Sequence, residues 1–445
     1  MSIADIVREA TELPVSRSAD ECLKCNVCNT VCPVLRVTDK FPGPKYSGPQ
    51  GQRFRLAHLQ PIGGPGSANP PSPDASVDYC SGCGWCTTAC PAGVKIAEMN
   101  SQARARLREG KRPKLRDWGL GQTDLTGSLG VAFSPIANVA MRNRPLRRAM
   151  ELTIGVHHKA PVPPFAKRTF HSTWKRRQAK AGTGRGKALP GPDKAIVYFH
   201  GCSANYYEPH VAEAAIWVLR RNGFETIVPE QVCCGLPLIS NGLYDDARAH
   251  ACKNAKSLAR YAKAGYKIIG TSTSCTHTIK AEYEEMLDMR DEDTRAISAA
   301  TWDIMEFLLD LHEQGRLDTG FGRLDEDLPY HAPCQLRSHG IGLPALDLFA
   351  LIPGLRARDM DHDCCGIAGT YGLKREKYDI AMAVGRPLFD KITASGASVA
   401  ACDSETCRWQ IEAATGVRTR HPIEILAEAY RAMDRALGTA EPPGA

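Results

Sequence analysis

Two stretches of the sequence share one cysteine spacing, C-x2-C-x2-C-x3-C followed by proline. The members are Cys22, Cys25, Cys28 and Cys32 in the first run, and Cys80, Cys83, Cys86 and Cys90 in the second. Two intervening residues let three successive thiolates face one metal core, whereas the fourth, after three residues and before proline, points away from it. The two runs therefore predict a compact domain in which each run completes the site of the other.

Bacterial ferredoxins with two clusters bind [4Fe–4S] through this spacing. We predict two such clusters with crossed ligand sets. The first set is Cys22, Cys25, Cys28 and Cys90, and the second is Cys80, Cys83, Cys86 and Cys32. The alternative is a zinc site built from C-x2-C pairs. Zinc needs only four ligands, so two complete runs favour iron–sulfur clusters.

Length and composition indicate a globular protein of two or three domains. The chain has 445 residues, of which 43% are hydrophobic and 24% are charged, as in soluble proteins. Its 18 cysteines follow metal-type spacings, which indicates a reducing compartment rather than a disulfide framework. No apolar signal-peptide core and no bilayer-spanning apolar run is visible. We expect a peripheral protein on the cytoplasmic side of the cell inner membrane, without a signal peptide or transmembrane helix.

Positive charge is concentrated in one segment, 111–192. Between Arg104 and Lys187 there are 20 lysines and arginines against 4 acidic residues, whereas the rest of the chain has a net charge of −9. The apolar stretch 129–141 runs into Arg142, Arg144, Arg147 and Arg148. An apolar stretch flanked by cations is typical of an element at an anionic membrane surface. A partner-docking segment and a solvated linker are the alternatives, and nucleic acid is not expected because no groove-reading motif accompanies the charge.

From residue 193 the sequence alternates between strand and helix patterns and contains an internal duplication. The strand 195–199 is followed by Cys202, then by Cys233, Cys234 and Gly235, and later by Cys275. The same plan returns as Cys334, as Cys364, Cys365 and Gly366, and as Cys407, each cysteine 131 or 132 residues after its counterpart. A constant offset across four cysteines indicates two copies of one domain.

Each copy places cysteines just beyond strand ends, where open α/β sheets hold ligands. The pattern predicts one or two further iron–sulfur centres. The candidate ligands are Cys202, Cys233, Cys234 and Cys275 in repeat 1, and Cys334, Cys364, Cys365 and Cys407 in repeat 2. Cys252 stands outside the pattern, and we interpret it as a small core residue.

Several segments also resemble a known family. They are His200–Cys202, Cys233–Pro237, Cys364–Gly372 and Glu405–Glu412, with Phe41–Lys45 and Gln122–Ser128 upstream. Together with the two ferredoxin-type runs, they resemble the C subunit of anaerobic glycerol-3-phosphate dehydrogenases over nearly the whole chain. The Cys-Cys-Gly repeat alone is less specific, because it is shared with the B subunit of heterodisulfide reductases and with iron–sulfur subunits of glycolate and lactate oxidation.

The resemblance implies an electron-transfer subunit of a membrane-associated complex. Flavin-bearing partner subunits would oxidise sn-glycerol 3-phosphate to dihydroxyacetone phosphate, and this chain would relay the electrons toward menaquinone and help attach the complex to the membrane. No flavin or NAD is expected on this chain, because no G-x-G-x-x-G follows a strand and opens a helix. Substrate oxidation then belongs to another subunit. The alternatives are an iron–sulfur subunit of a glycolate or lactate oxidase complex and a heterodisulfide-reductase-like oxidoreductase.

The repeats depart from the heterodisulfide reductase pattern at one position. That pattern ends in C-x2-C, whereas Ser272 and Ser404 replace the first cysteine here. Serine is a poor iron ligand because its alkoxide is not available near neutral pH. Four thiolates per repeat suffice for an ordinary cluster but not for a five-cysteine centre, and Cys402 is a spare candidate ligand in repeat 2.

We therefore predict an α+β and α/β protein, with a helical two-cluster ferredoxin-like domain followed by two duplicated α/β Cys-Cys-Gly repeats. The predicted boundaries are 1–110 for the ferredoxin-like domain, 111–192 for the basic segment, 193–325 for repeat 1, 326–433 for repeat 2 and 434–445 for a flexible tail.

Overall fold

The computed structural model describes residues 15, 17–53, 73–108, 110–180, 189–361 and 364–438. The sequence also predicts a helical lead-in at 1–19, a glycine- and proline-rich loop between the two cysteine runs and a flexible linker at 182–186. Most of the lead-in, residues 54–72 of the loop and all of the linker lie outside the described residues. Within them, the chain forms a helical N-terminal region, a helical basic segment and two α/β repeats. The predicted fold class is confirmed.

The N-terminal region consists of short helices that carry the cysteine runs and one longer helix that supports them. The helices are α1 (Val27–Thr30), α2 (Trp85–Thr88) and α3 (Ile96–Arg108), with helical turns at Arg17–Glu21, Tyr46–Gln50 and Pro73–Tyr79. The sequence pattern predicts α3 with these bounds. Its buried face, with Ile96 and Met99, packs beside Cys28 and Cys86 in one small core.

The basic segment folds into five helices. They are α4 (Leu115–Gly121), α5 (Thr123–Ala132), α6 (Ser134–Arg142), α7 (Arg144–Thr153) and α8 (Phe170–Lys180). Pro135 and Pro145 occupy the first turns of α6 and α7, where proline has no hydrogen bond to lose. The apolar stretch 129–141 is therefore divided between two helices that meet at Phe133.

The basic segment packs on both repeats, which excludes a solvated linker. Helix α5 lies so close to repeat 1 that a side chain at Gly127 would collide with the ring of Tyr206. On the other side, the ring of His157 stacks on Tyr378 of repeat 2 at 3.7 Å between centroids.

Repeat 1 and repeat 2 contain the same kind of parallel sheet. Repeat 1 comprises β1 (Ala195–Phe199), α9 (Gly201–Tyr206), α10 (Pro209–Arg221), β2 (Glu225–Ile227), α11 (Leu236–Ser240), α12 (Tyr244–Lys263), β3 (Ile268–Gly270), α13 (Thr273–His277), α14 (Tyr283–Glu285), α15 (Glu292–Ala300), β4 (Thr301–Asp303) and α16 (Ile304–Glu313). Repeat 2 comprises β5 (Asp327–His331), α17 (Cys334–His339), α18 (Pro344–Phe349), β6 (Arg356–Asp359), α19 (Tyr378–Ala394), β7 (Val399–Cys402), α20 (Glu405–Thr415), β8 (Arg418–Arg420) and α21 (Pro422–Leu437).

The two sheets have the same strand order. They run β2-β1-β3-β4 and β6-β5-β7-β8, with every neighbouring pair parallel. The central strand β1 is buried along its whole length, as expected for a parallel sheet covered by helices on both faces. The carboxyl ends of the strands then lead into the cysteine loops, as the sequence predicts.

One continuous core joins the two repeats. Trp217 of α10 and Leu308 of α16 lie in the same buried cluster as Phe349 of α18 and Tyr430 of α21. Because the core side chains come from both repeats, the repeats form one packed unit rather than two separate domains joined by a linker.

Three predictions from the sequence need correction. Cys252 is exposed rather than in the core, because the buried face of α12 is formed by Ala247, Ala251, Ala255 and Leu258. Arg147 is buried and its guanidinium donates to the carbonyl of Ala160 at 2.6 Å, so it is not part of the exposed cationic surface. The predicted tail at 434–445 begins too early, since α21 continues to Leu437 and Asp434 pairs with Arg221 at 2.8 Å.

Candidate iron–sulfur centres

The first cavity is lined by three cysteines of the first run and the last cysteine of the second. Cys22, Cys25, Cys28 and Cys90 surround an empty volume of about 320 Å³. The backbone N–H of Val94 donates to Cys90 Sγ at 3.4 Å. Burial raises the pKa of Cys28, and the nearby Cys22 and Cys90 raise it further. The structure thus brings together the four residues predicted as the first ligand set.

The second cavity is built in the same crossed way. Cys80, Cys83, Cys86 and Cys32 line an empty volume of about 300 Å³. The N–H of Leu35 donates to Cys32 Sγ at 3.5 Å, and burial raises the pKa of Cys32 to about 11. Val34 and Phe41 close this cavity from the side, in a buried cluster that also contains Cys364 of repeat 2. The second predicted set is therefore also brought together.

A third and larger cavity lies between the two repeats and the ferredoxin-like domain. Its empty volume is about 1040 Å³, more than three times that of either small cavity. The cysteines that line it are Cys83, Cys202, Cys234, Cys275, Cys334, Cys364, Cys365 and Cys407. Sequence reasoning treats the repeats as separate sites, whereas the structure turns both toward one space.

Cys83 belongs to the second and third cavities at once. Among the charges that raise the pKa of its buried thiol, after desolvation, the nearby Cys364 of repeat 2 acts most strongly. The second and third cavities are therefore adjacent cysteine-lined sites.

Within each repeat the thiols make the same contacts. Hydrogen bonds from Cys202 and then Cys234 hold the pKa of Cys233 well below its usual value. In repeat 2, hydrogen bonds from Cys334 and then Cys365 lower the pKa of Cys364 in the same way. A bound metal would replace these shared protons, because a coordinating thiol is deprotonated.

Ser272 and Ser404 occupy structural positions at the helix starts. Ser272 is the N-cap of α13, and its hydroxyl accepts a hydrogen bond from the N–H of Cys275 at 3.4 Å. The same hydroxyl donates to Glu405 Oε1 of repeat 2 at 3.3 Å. Ser404 is the N-cap of α20 and lies 3.4 Å from the Thr406 hydroxyl. Capping and cross-repeat hydrogen bonding account for serine at position 272, whereas the Ser404 hydroxyl does not cap its helix.

The structure adds Asp124 of the basic segment to the repeat 1 site. Its Oδ2 accepts from the N–H of Cys233 at 2.8 Å, and its Oδ1 accepts from Tyr206 Oη at 3.2 Å. The Cys-Cys-Gly loop is thereby anchored to helix α5. Asp124 lies within the segment Gln122–Ser128 that carries part of the family resemblance, which is the signal that points to it.

One buried acid also faces the third cavity. Glu282 lines it and accepts from the Thr278 hydroxyl at 2.6 Å. Burial raises the pKa of Glu282 to about 7. His277 Nδ1 lies 3.8 Å from its carboxylate.

The donor sets fit iron–sulfur clusters. All 18 cysteines are free thiols, and four of them line each ferredoxin-type cavity. Backbone N–H groups point at Cys32 and Cys90, and a third, from Gly366, donates to Cys364 Sγ at 3.2 Å. Hydrogen bonds of this kind are a standard feature of cluster sites.

Comparison with protein families agrees with this geometry. Residues 18–94 match the model of the 4Fe-4S dicluster domain, and residues 196–280 and 328–412 match the cysteine-rich domain. The dicluster match establishes [4Fe–4S] clusters as cofactors and disfavours zinc at the two runs. The cysteine-rich matches confirm the internal duplication.

Several curated proteins are similar over long stretches. The C subunit of the anaerobic glycerol-3-phosphate dehydrogenase of Escherichia coli K12 is 36% identical over 93% of this chain and 98% of its own length. The D subunit of the dihydromethanophenazine:CoB–CoM heterodisulfide reductase of Methanosarcina barkeri is 26% identical over 82% of this chain and 81% of its own. The lactate utilization protein A of an Exiguobacterium strain is 27% identical over 52% of this chain and 94% of its own.

The chain contains a dicluster domain followed by two cysteine-rich repeats. It is 36% identical to the E. coli C subunit over 98% of that subunit's length. It belongs to the family of iron–sulfur proteins formed by the C subunits of anaerobic glycerol-3-phosphate dehydrogenases.

Proposed function

We propose that this chain is the electron-transfer subunit of an anaerobic glycerol-3-phosphate dehydrogenase complex. In this role it accepts electrons from a flavin-bearing partner that oxidises sn-glycerol 3-phosphate, and it delivers them toward menaquinone. The observation that carries the proposal is the set of three cysteine-lined cavities, of which the second and third share Cys83, in a chain that matches the E. coli C subunit over 98% of that subunit's length. Iron–sulfur clusters supply one-electron transfer when bound.

The proposed ligands follow the crossed arrangement of the runs. Cys22, Cys25, Cys28 and Cys90 hold one cluster, and Cys80, Cys83, Cys86 and Cys32 hold the other. Cys25 is exposed, whereas the cysteines of the second set are buried. The exposed site suits contact with an electron-donating partner, and the buried one suits transfer inward to the repeats.

The repeats extend the route. We assign one centre to Cys202, Cys233, Cys234 and Cys275, and one to Cys334, Cys364, Cys365 and Cys407. Three cysteines of the repeat 1 set and all four of the repeat 2 set line the third cavity. The repeat 2 set lies beside Cys83, so electrons reach repeat 2 first and repeat 1 second.

Helices α5 to α7 form the proposed membrane-facing surface. Their large apolar side chains point outward: Leu129 is 52% exposed, Phe133 60%, Ile136 73%, Val139 69% and Leu152 77%. Arg142, Arg144 and Arg148 are exposed on the same helices. Apolar side chains flanked by arginines match the interface of an anionic bilayer. No helix among the described residues is long and apolar enough to cross a bilayer.

A second candidate is an iron–sulfur subunit for oxidation of a 2-hydroxy acid. The similarity to lactate utilization protein A favours it, although that protein matches only about half of this chain. The two candidates differ in the flavoprotein that binds this chain, not in the chain's own cysteines.

Purification of the natural complex under anaerobic conditions distinguishes them. We expect the co-purifying flavoprotein to reduce a menaquinone analogue with glycerol 3-phosphate and not with lactate or glycolate. Activity with a 2-hydroxy acid alone would overturn the assignment. Iron and acid-labile sulfide per chain test the clusters separately: about eight irons correspond to the two runs alone, and more than that to loaded repeats.

A further inference from the structure

The two repeats differ directly behind one of their cysteines. In repeat 2, β5 ends at His331 and β7 ends at Cys402. A ring nitrogen of His331, Cys402 Sγ and Cys407 Sγ all lie within 4.8 Å of one another, and all three residues are buried. Cys407 lines the third cavity, whereas His331 and Cys402 do not. They therefore approach the Cys407 sulfur from its protein side.

Repeat 1 has no such pair. The residues at the same places, at the ends of β1 and β3, are Phe199 and Gly270. Neither can donate a hydrogen bond from its side chain. A Cβ at Gly270 would lie 2.6 Å from Thr276 Cγ2, so repeat 1 has no room for a cysteine there. The packing around each sheet therefore allows the histidine–cysteine pair in repeat 2 and not in repeat 1.

His331 has no polar contact among the described residues that explains its burial. It is 1% exposed, and neither ring nitrogen has a hydrogen-bond partner there. A buried ring nitrogen without a partner costs free energy. Cys407 Sγ, within 4.8 Å of a ring nitrogen, is an acceptor that a small movement of the ring would bring within hydrogen-bond distance.

The ligand assignment supports the same direction. A cysteine binds a metal as the thiolate, so Cys407, as a ligand, would accept a hydrogen bond. Cys402 lies outside the assigned set, and its thiol can donate one.

We propose that His331 and Cys402 donate hydrogen bonds to the Cys407 thiolate and so make the repeat 2 centre easier to reduce than the repeat 1 centre. This inference rests on the proposed function, which assigns a centre to each repeat. One-electron reduction adds one negative charge to a centre, and the electron comes from the cluster beside Cys83, which is oxidised by one electron. Donors at a ligating sulfur stabilise the reduced form and raise its reduction potential.

The proposal gives the two repeats unequal roles. The repeat 2 centre, next to Cys83, fills first and holds its electron. The repeat 1 centre, where Phe199 supplies no donor, fills only at lower potential. His331 is in this sense a positioning residue, because it acts through Cys407.

The test is a redox titration of the full chain, purified anaerobically and followed by EPR. We expect His331→Phe and Cys402→Ala each to move the midpoint of one signal to lower potential and to leave the other signals unchanged. His331→Gln, which keeps an N–H donor, should restore much of the shift. The matched control is Phe199→Leu in repeat 1, which should leave the repeat 2 midpoint unchanged.

Three results would overturn the inference. An unshifted midpoint in His331→Phe, with the signal retained, refutes the hydrogen bond alone. Nitrogen hyperfine coupling in the wild type, with loss of the signal in His331→Phe, makes His331 a ligand instead. Only two ferredoxin-type signals and about eight irons in the wild type refute the assignment of centres to the repeats, and the inference falls with it.

Discussion

Gly84, between the second and third cysteines of the second run, packs directly against the hydroxyl of Ser338 in helix α17. Gly84 has a φ of 83°, and a Cβ there would collide with Ser338 Oγ. Its neighbour Cys83 faces both the second and the third cavity. This contact therefore fixes how closely the ferredoxin-like domain sits on repeat 2.

Replacing Gly84 with alanine should loosen that docking. The left-handed φ costs roughly 1–2 kcal/mol for a residue with a side chain, and the collision adds about 1–3 kcal/mol. The matched control is Gly82→Ala, since Gly82 has a φ of 71° but nothing within 4 Å of a built Cβ. Thermal unfolding of the cluster-loaded chain should show a clearly larger loss for Gly84→Ala, and equal losses would contradict the close approach.

The crossed ligand sets predict how cysteine variants combine. Cys90→Ala should remove about four irons, and adding Cys22→Ala should remove no more, because both residues serve the same cluster. Adding Cys80→Ala to Cys90→Ala should instead remove both clusters. Iron and acid-labile sulfide analysis measures this, with the exposed Cys252→Ser as a control. The reverse pattern would mean that each run binds its own cluster.

The exposed apolar surface of α5 to α7 predicts binding to anionic vesicles. Ile136→Asp with Val139→Asp should weaken binding to phosphatidylglycerol vesicles by about tenfold or more, since each buried CH₂ contributes about 0.8 kcal/mol. Leu437→Asp is the control, because Leu437 is 66% exposed but lies on α21. Equal binding by all three proteins in a sedimentation assay would exclude this surface as the membrane contact.

The cationic part of the surface can be tested separately. Arg142, Arg144 and Arg148, replaced together by Gln, should lower vesicle binding most at low salt, because each exposed arginine near an anionic surface contributes about 1 kcal/mol. Arg147 is omitted, because its guanidinium bonds the carbonyls of His157 and Ala160. If the salt dependence of binding is unchanged in the triple variant, electrostatic attraction through these residues is excluded.

Glu282 predicts a pH dependence of stability. Its pKa rises from 4.5 to about 7 on folding, so the folded state binds the proton more tightly than the unfolded state. Its stabilising contribution is complete below pH 4.5 and is lost as the pH rises to about 7. Glu282→Gln should therefore raise the melting temperature at pH 8, by the equivalent of roughly 3 kcal/mol at most.

The prediction is checked by measuring the melting temperatures of the wild type and of Glu282→Gln at pH 8 and at pH 6. The gain from Glu282→Gln should be smaller at pH 6, where the wild-type carboxyl is largely protonated. Glu285→Gln serves as the control, since Glu285 is partly exposed and pairs with Lys95. A gain that is the same at both pH values would show that the folded state holds no extra proton at pH 6, and hence that the pKa of Glu282 is not raised to about 7.

Local spacing explains what the sequence could predict. The position of Cys90 relative to Pro91 already points it toward the other run, and a constant offset of 131 or 132 residues requires no knowledge of packing. Strand β1 is predicted with the bounds 195–199 that the structure shows. Both kinds of signal can be read from the order and spacing of residues along the chain, without knowledge of the packing.

Tertiary packing decides the features that the sequence did not reveal. The common cavity exists because Trp217 and Tyr430, more than 200 residues apart, share one core. The burial of Arg147 depends on carbonyls supplied by a later loop. The exposure of Cys252 depends on which face of α12 meets the sheet. Each of these needs the assembled fold.

The third cavity also has a consequence for how the protein is made. Its wall includes Ser81 in the first quarter of the chain and Cys407 near the end, whereas the two ferredoxin-type cavities are lined only by residues up to Ala97. Domains fold in order as they leave the ribosome. Cofactor delivery is then divided in time: the first two sites can be filled on a nascent chain, and the repeat sites only after translation is almost finished.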